Sequence, residues 1–329
     1  MSAAAVAHRV AVVDAGADDE PRLERLRAAV ATEISYGSGE PDDLVRRAAN
    51  ASVLVTLYTY TSIGSEVLER LPGLELVATR TAGYSHIDVA TAARLGIAVA
   101  AVPDAPTTAV AEYTLGVLLM ARRHLADAAA STRSGEWEFT GFRGHDLEGE
   151  TLGVIGMGRI GRRVATLGHA FGMRVLYWSR SAREIEWAQR VELDALLDAA
   201  DVVSVNVALN DDTRGLLDAR RLRRMRPGAW LVNTARGEVI DTDALCQLLH
   251  ERRLGGACLD VVTGEPLDRA RALELASVPN LIVTPHISFN TAGTLERQFA
   301  GVTDVVLRFC AGQPIDLVPG GDPMPRRQP

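Results

Sequence analysis

Residues 151–180 read TLGVIGMGRIGRRVATLGHAFGMRVLYWSR, and this stretch decides the fold. It opens with a short apolar run, turns at three glycines in the pattern G-x-G-x-x-G, continues with the apolar spacing of an amphipathic helix, and closes with a second apolar run. A strand, a tight turn, a helix and a second strand in this order predict a βαβ unit with parallel strands. We therefore predict a doubly wound α/β fold.

The three glycines of this turn have separate roles. Gly156 permits the tight turn, Gly158 lets the main chain approach a pyrophosphate, and Gly161 lets the helix lie close to the strand. The helix that follows offers main-chain amides and the positive end of its dipole to an anion. With a strand before it and a helix after it, the turn predicts a dinucleotide site rather than an ordinary glycine-rich loop.

The residue at the end of the second strand predicts which dinucleotide is bound. In such units this strand commonly ends in Asp or Glu, which binds the adenosine ribose hydroxyls. Here the position is Ser179, which carries no charge to repel a 2′-phosphate, and Arg180 and Arg183 could pair with one. NADP(H) is the predicted cofactor. NAD(H) stays the alternative, because exposed arginines are often only solvated surface charges.

Short apolar runs alternate with helical patterns along the rest of the chain. They predict two series of strands, which are Arg9–Val13, Ser52–Leu57, Leu74–Thr79 and Ile97–Ala101, then Leu152–Ile155, Val175–Trp178, Val202–Val205, Trp230–Val232, Ala257–Leu259 and Leu281–Thr284. Helices are expected between them, including Leu23–Ala31 and Ser65–Leu71, and a last helix from about Thr291 to Cys310. A break near Pro103 separates the two series, so we expect two parallel sheets in two domains.

Composition narrows the class of protein. The chain has 329 residues, 47% of them hydrophobic, and a formal net charge of -7 with no basic stripe, so a small molecule is a better partner than nucleic acid. There is no apolar run of membrane-spanning length and no export signal, and we expect neither a membrane span nor secretion. The spacing of Cys246, Cys258 and Cys310 suits neither a disulfide framework nor a metal site, which predicts a reducing cytoplasm and no bound metal.

Three ionisable residues, Arg236, Glu265 and His286, each follow a predicted strand of the second series. Carboxyl ends of parallel strands share the edge where ligands bind, so the three should lie together. We assign Arg236 to the carboxylate and carbonyl of a substrate, His286 to proton donation in reduction and proton removal in oxidation, and Glu265 to orienting His286. Taken singly, each residue also fits a structural role. His286 could be a turn histidine, Glu265 a solvated loop carboxylate and Arg236 a member of a surface ion pair.

Seven stretches in order resemble the D-isomer-specific 2-hydroxyacid dehydrogenases, over roughly Ser52 to Phe309. They are TRTAGYSHIDVATAARLGIAV, VAEYTLGVLLMARR, LGVIGMGRIGRRVA, DVVSVNVALNDDTRGLLD, LVNTARGEVIDTDAL, GACLDVVTGEPL and NLIVTPHIS. In that family an Arg, a Glu and a His act together, and Arg236, Glu265 and His286 occupy those motif positions. The resemblance implies hydride transfer between NADP(H) or NAD(H) and a small 2-oxo acid or D-2-hydroxy acid, as in glyoxylate and hydroxypyruvate reductases.

The resemblance also implies two Rossmann-like domains, one inserted into the other. Residues 1–103 and 287–329 would form the substrate domain, and residues 104–286 the dinucleotide-binding domain, with hinges near Pro103 and His286. Ala82 and Gly83 would offer main-chain amides to the substrate carboxylate. Further predicted cofactor contacts are Arg159, Ile160, Val207, Thr213, Thr234, Asp260 at the nicotinamide carboxamide, and His286. Family members are usually dimers, which implies a homodimer joined through the region of the long helix after Thr108.

Several positions depart from the family pattern. Besides Ser179, these are Asn206 and Ala208, where His and Pro are common, and Ser288-Phe289, where small residues commonly follow the catalytic His. We expect Asn206 to affect cofactor affinity more than chemistry, and Phe289 to shape substrate choice. Tyr60 and Tyr84 are equally consistent with pocket walls and with core aromatics.

Two alternative functions stay open on the sequence alone. Formate and phosphite dehydrogenases of the same superfamily oxidise a small anion with a related Arg and His. Transcriptional co-repressors of the family bind the dinucleotide but dock peptides in a surface cleft, and they can retain all three residues. Turnover of a substrate would separate these classes.

Overall fold

The computed structural model describes residues 8–34 and 40–324, and it divides into two compact units. The first comprises Met1–Pro106 and Thr291–Pro329, and the second Thr107–Asn290. Each unit contains one parallel sheet with helices, which confirms the predicted fold class. Within the described ranges, no helix has both the length and the apolar character that crossing a membrane requires.

The first unit begins with a regular alternation of short strands and helices. In chain order the elements are β1 (Arg9–Val12), α1 (Glu24–Ala29), β2 (Ala31–Ile34), α2 (Pro41–Ala48), β3 (Val53–Thr56), α3 (Ser65–Leu68), β4 (Leu76–Thr79), α4 (Val89–Arg94) and β5 (Ala98–Ala100). The strands form a parallel sheet in the order β2-β1-β3-β4-β5. The helix predicted to run to Ala31 is wrong at its end, because α1 stops at Ala29 and Ala31 begins the edge strand β2.

The second unit contains a larger sheet. Its elements are α5 (Thr107–Arg122), α6 (Leu125–Arg133), β6 (Thr151–Ile155), α7 (Arg159–Ala170), β7 (Arg174–Trp178), β8 (Ala188–Arg190), α8 (Leu193–Ala199), β9 (Val202–Val205), α9 (Ala219–Arg224), β10 (Trp230–Asn233), α10 (Thr242–His250), β11 (Gly256–Leu259), α11 (Arg269–Ala276) and β12 (Leu281–Val283). The seven parallel strands lie in the order β12-β11-β10-β9-β6-β7-β8. The chain then returns to the first unit as α12 (Ala292–Cys310).

Apolar clusters cover both faces of each sheet. Strands β3, β4, β6, β9 and β10 are buried along their whole length, which explains why they read as continuous apolar runs. In the first unit, Phe299 and Val302 of α12 pack against Val10 and Leu23. In the second, Leu118 of α5 belongs to the cluster on one face of the sheet. These helices and strands form the rigid base on which the strand-end loops are set.

Parallel pairing brings the carboxyl ends of the strands to one edge of each sheet. In the second unit that edge carries the glycine turn after β6, Ser179 after β7, Arg236 after β10, Glu265 after β11 and His286 after β12. Residues predicted from separate motifs therefore share one edge of one sheet.

Candidate active site

A turn at the end of β10 fixes the main chain of Arg236. The fully buried Asn233 side chain donates from Nδ2 to the carbonyl oxygen of Arg236 at 2.9 Å and accepts at Oδ1 from the amide of Ala235 at 3.0 Å. Burial lowers the pKa of the Arg236 guanidinium, and the carboxylates of Glu265 and Glu238 act against that effect. Because the guanidinium is partly withdrawn from water, an anion placed beside it would be attracted more strongly than at an open surface.

Glu265 and His286 form the central contact of the site. His286 Nδ1 lies 2.8 Å from Glu265 Oε2, and Glu265 Oε1 accepts from the amide of Val262 at 3.1 Å. Both side chains are partly exposed, at 27% for His286 and 30% for Glu265. With Nδ1 engaged by the carboxylate, Nε2 is the ring nitrogen available to a substrate. The Phe289 ring meets the imidazole edge-on, with centroids 5.9 Å apart.

The loops that carry Arg236 and Glu265 lie directly against each other. A Cβ atom at Gly237 would come within 2.1 Å of the carbonyl carbon of Val262, so only glycine fits between the two loops. Val262 in turn binds Glu265, as described above. This close approach brings the guanidinium and the carboxylate–imidazole pair into one cluster.

The glycine turn has the geometry expected of a phosphate-binding turn. Gly156 has a φ of 98°, and a Cβ atom there would meet the carbonyl oxygen of Asn206 at 2.6 Å. A Cβ atom at Gly161 would lie 1.9 Å from the carbonyl oxygen of Gly156. At Gly158, the residue before α7, a Cβ atom would meet no atom of the described residues within 4 Å, apart from its neighbours in the chain. The protein thus leaves open the one position where a pyrophosphate must approach the main chain.

Asn206 adds a second observation that fits a bound dinucleotide. Its Nδ2 donates to the carbonyl and hydroxyl oxygens of Ser204, at 3.1 and 3.0 Å. Its Oδ1 is buried and, among the described residues, has no hydrogen-bond partner. Buried acceptors are almost always satisfied, so this oxygen has capacity for a donor that the described residues do not supply. The residues of the glycine turn therefore fit a nicotinamide dinucleotide.

The family assignment can be tested by comparison with known proteins. The family model described as D-isomer specific 2-hydroxyacid dehydrogenase, NAD binding domain, matches residues 115–288. The chain belongs to the D-isomer-specific 2-hydroxyacid dehydrogenase family. Glyoxylate reductase from Thermococcus gammatolerans is 40% identical over 276 residues, which cover 80% of this chain and 80% of that protein. The resemblance seen in the sequence is confirmed.

Solved structures of similar dehydrogenases and reductases superpose over nearly the whole chain. The D-lactate dehydrogenase from Aquifex aeolicus, complexed with NAD and lactic acid, is 31% identical, with a TM-score of 0.84 over 92% of this chain and 96% of that one. An acyclic imino acid reductase in complex with NADPH and D-Arg is 25% identical, with a TM-score of 0.85 over 94% and 99%. The chain is thus an NAD(P)-dependent D-2-hydroxyacid dehydrogenase, an oxidoreductase with a nicotinamide dinucleotide cofactor.

In this dehydrogenase the residues around Ser179 form a basic strand end. Arg180 and Arg183 are exposed, and the Arg180 guanidinium lies 4.0 Å from the Asp212 carboxylate. Arg190, which the sequence did not single out, donates to the carbonyl oxygen of Ser179 at 3.0 Å. It lies at the end of the short edge strand β8, whose polar sequence gives no strand signal. Arg190 thus brings its guanidinium to this strand end, beside Arg180.

Two other predicted cofactor residues use their hydroxyl groups within the protein. The Thr213 hydroxyl donates to the carbonyl oxygen of Ala208 at 2.7 Å and holds the loop after β9. The Thr234 hydroxyl lies 3.1 Å from that of Thr114 on α5. Val207 touches the glycine turn, since its side chain is what a Cβ atom at Gly156 would meet at 2.9 Å. Thr213 and Thr234 therefore shape loops at the sheet edge, and their cofactor contacts stay predictions.

Asp260 is buried at the end of β11 and holds the turn that carries His286. Its carboxylate accepts from the amides of Ile287 and Ser288 at 2.9 and 2.8 Å, and from the hydroxyl of Thr284 at 2.7 Å. These donors compensate the buried charge. The structure thus gives Asp260 a role in holding the His286 turn in addition to the predicted contact with the nicotinamide.

The predicted substrate loop belongs to the first unit and follows β4. Thr81 Oγ1 lies 2.7 Å from Thr79 Oγ1. It donates to the carbonyl oxygen of Gly83 at 2.6 Å, so this carbonyl faces the Thr81 side chain. Within the described ranges, the amides of Ala82 and Gly83 donate to no protein group. Their N–H groups are consequently free for an anionic ligand.

Two aromatic residues near this loop differ in environment. Tyr84 packs against the apolar core of the first unit. Tyr60 is 66% exposed and stacks on Tyr58 with ring centroids 5.0 Å apart. The Tyr84 side chain is therefore partly buried in the core, whereas the Tyr60 ring is largely exposed to solvent.

Proposed function

We propose that this dehydrogenase reduces a small 2-oxo acid, such as glyoxylate or hydroxypyruvate, with NADPH. The observation that carries the proposal is the 2.8 Å contact between His286 Nδ1 and Glu265 Oε2, beside the half-buried guanidinium of Arg236. An imidazole oriented by a carboxylate suits proton transfer, and a guanidinium suits a carboxylate ligand. Relatives named glyoxylate reductase support the substrate class.

In reduction the carbonyl carbon gains a hydride, which the dihydronicotinamide supplies when bound. Arg236 binds the substrate carboxylate and polarises the carbonyl group. His286 then gives the proton on Nε2 to the oxygen, which becomes the hydroxyl of the product. Glu265 fixes the orientation of the imidazole through Nδ1. In oxidation His286 takes the proton back as the hydride returns to the cofactor.

We propose two further contacts on the basis of the family resemblance. Ala82 and Gly83 donate their free main-chain amides to the substrate carboxylate, and Asp260 binds the nicotinamide carboxamide. Asp260 retains acceptor capacity on Oδ2, which takes one hydrogen bond, from Ser288. Phe289, packed edge-on against His286, limits the size of the substrate side chain.

The preference for NADPH rests on the strand end after β7. Ser179 adds no negative charge, Arg180 follows it directly, Arg190 donates to its carbonyl oxygen, and Arg183 lies exposed four residues further on. We propose that these arginines form charge-assisted hydrogen bonds with a 2′-phosphate. Exposed ion pairs are worth little each, so we expect a preference between cofactors rather than exclusion of NADH.

We further propose that the enzyme is a cytoplasmic homodimer. The cysteines Cys246, Cys258 and Cys310 are all free thiols, which suits a reducing compartment. Helix α6 has no buried residue, and the segment after it exposes Trp137 to 91% and Phe139 to 83%. Large aromatic side chains this exposed mark an interaction surface.

The experiment that tests the function is a screen of small anions with both cofactors. Glyoxylate, hydroxypyruvate and pyruvate are assayed for oxidation of NADPH and NADH, and formate and phosphite for reduction of NADP and NAD. We expect turnover of at least one 2-oxo acid, with a higher kcat/KM for NADPH. Turnover of formate or phosphite alone would make the reaction assignment wrong. If no small anion is turned over and the protein binds peptides, a co-repressor function would be favoured.

A further inference from the structure

A hydrogen-bonded chain links helix α5 to the end of β11. The Tyr113 hydroxyl donates to Thr284 Oγ1 at 2.7 Å, and the Thr284 hydroxyl donates to Asp260 Oδ1 at 2.7 Å. Each hydroxyl has one proton, so both protons point toward the carboxylate. Hydrogen bonds aligned in this way polarise and strengthen one another, especially around a buried charge. Asp260 is only 2% exposed.

At one end of this series of hydrogen bonds, Asp260 holds the backbone of the residues that follow His286. Asp260 accepts from the amides of Ile287 and Ser288. His286 itself has a φ of 54°, a conformation that residues with a Cβ atom rarely adopt. Such a conformation persists only where surrounding bonds enforce it. The Asp260 carboxylate provides two of those bonds, and it sets the direction in which the imidazole leaves the main chain.

The next residue of α5 makes a matching contact with the loop that carries Arg236. Thr114 donates its hydroxyl proton to the carbonyl oxygen of Val110 at 2.7 Å. In the 3.1 Å contact with Thr234 it is therefore the acceptor. Thr234 and Thr284 are each the first residue after their strands, β10 and β12. One turn of α5 thus contacts the ends of β10 and β12, two of the three strands that are followed by a candidate catalytic residue.

We propose that Tyr113 is a positioning residue for the proton-transfer step, acting on His286 through Thr284 and Asp260. It touches neither substrate nor cofactor in this role. The kinetic consequence rests on the proposed function, since it requires His286 to transfer a proton. The structural consequence, a tighter turn at residues 286–288, does not.

The kinetic test uses Tyr113→Phe, Thr284→Val and the double variant in the full-length enzyme. We expect Tyr113→Phe to lower kcat about 3- to 10-fold and Thr284→Val more, with Kd for NADPH and KM for the 2-oxo acid changed less than about 2-fold. The solvent deuterium isotope effect on kcat should rise, because proton transfer becomes slower. The double variant should fall no further than Thr284→Val, since both residues act through one chain.

The structural test measures amide hydrogen exchange of Ile287 and Ser288, free and with NADPH. Leu118→Val is the control, because it removes one methylene from a buried side chain of the same helix and keeps the hydroxyl groups of Tyr113 and Thr284. We expect faster exchange at both amides in Tyr113→Phe than in the wild type or the control. The proposal is overturned if exchange in Tyr113→Phe equals that of the control, or if only one of the two expected changes, lower kcat and faster exchange, is seen. It is also overturned if the kcat losses of the two single variants multiply in the double variant.

Failure of the proposed function is distinguishable from failure of this inference. If the wild-type enzyme reduces no 2-oxo acid, the function is wrong, and the kinetic comparison is made with whichever small anion is turned over. The exchange comparison needs no substrate. Its outcome therefore decides in either case whether Tyr113 tightens the turn at residues 286–288.

Discussion

At the scale of single residues, His286 combines a constrained main chain with one free ring nitrogen. We predict that His286→Asn lowers kcat by about 10²- to 10⁴-fold with little change in the Kd for NADPH, because the proton donor is lost. Asn tolerates the positive φ at this position, so the fold should be retained. Arg236→Ala should lower kcat and also raise KM for the 2-oxo acid. Unchanged turnover in His286→Asn would remove this residue from the mechanism.

Ser179 is the residue on which the cofactor preference depends. We predict that Ser179→Asp reverses the preference, because a carboxylate at this strand end repels the 2′-phosphate of NADPH and accepts from the ribose hydroxyls of NADH. The ratio of kcat/KM for NADPH to that for NADH measures the effect. Ser181→Asp, which adds the same charge at an exposed neighbouring position, is the control. Equal shifts in both variants would show that only overall charge matters.

At the scale of the element, the glycine turn separates folding from ligand binding. We predict that Gly158→Ala keeps the wild-type Tm but weakens NADPH binding at least about 10-fold, because its Cβ atom meets none of the described residues beyond its chain neighbours and enters the space for the pyrophosphate. Gly161→Ala should lower the Tm in addition to weakening NADPH binding, since its Cβ atom would lie 1.9 Å from the carbonyl oxygen of Gly156. Tight NADPH binding by Gly158→Ala would place the pyrophosphate elsewhere.

The strands that the sequence did not predict are two of the four edge strands, β2 and β8. β2 and β8 end their sheets, and their residues are mostly exposed or half-buried. A central parallel strand is buried on both faces and reads as an apolar run, whereas an edge strand need not be apolar. The strands predicted from apolar runs all lie in the structure within two residues of their expected ends. Arg190 was missed with β8, the strand that carries it.

At the scale of the whole molecule, the site could be predicted in part because parallel strands end at one edge. Arg236, Glu265 and His286 lie on three different loops, yet each follows a strand that the sequence reveals. Tyr113 could not be predicted, because it lies 171 positions before Thr284 and only the packing of α5 on the sheet brings the two hydroxyls together. No periodicity in the sequence encodes that contact.

The free energy of unfolding should depend on pH through Asp14. Burial raises the pKa of this carboxyl group, although the amides of Leu57 and Tyr58 and the hydroxyl of Thr56 donate to it. A pKa above the unfolded value stabilises the fold fully at low pH, and this contribution is lost as the pH rises through the folded pKa. Urea unfolding from about pH 4 to 7 should therefore show the wild type losing stability relative to Asp14→Asn. The opposite trend would mean that the hydrogen bonds outweigh desolvation.

The assembly of the molecule should depend on the aromatic residues after α6. We predict that replacing Trp137 and Phe139 together by Ser converts a dimer into a monomer, as measured by light scattering, because both aromatic side chains are almost fully exposed in the single chain. NADPH binding should persist, since the glycine turn lies on a different segment. Leu273→Ser is the matched control, because Leu273 is an exposed apolar residue on α11, at 60%, and the dimer should survive its loss. A wild-type enzyme that is monomeric at micromolar concentration would contradict the proposed dimer and leave the exposure of both aromatic rings to be explained by another partner.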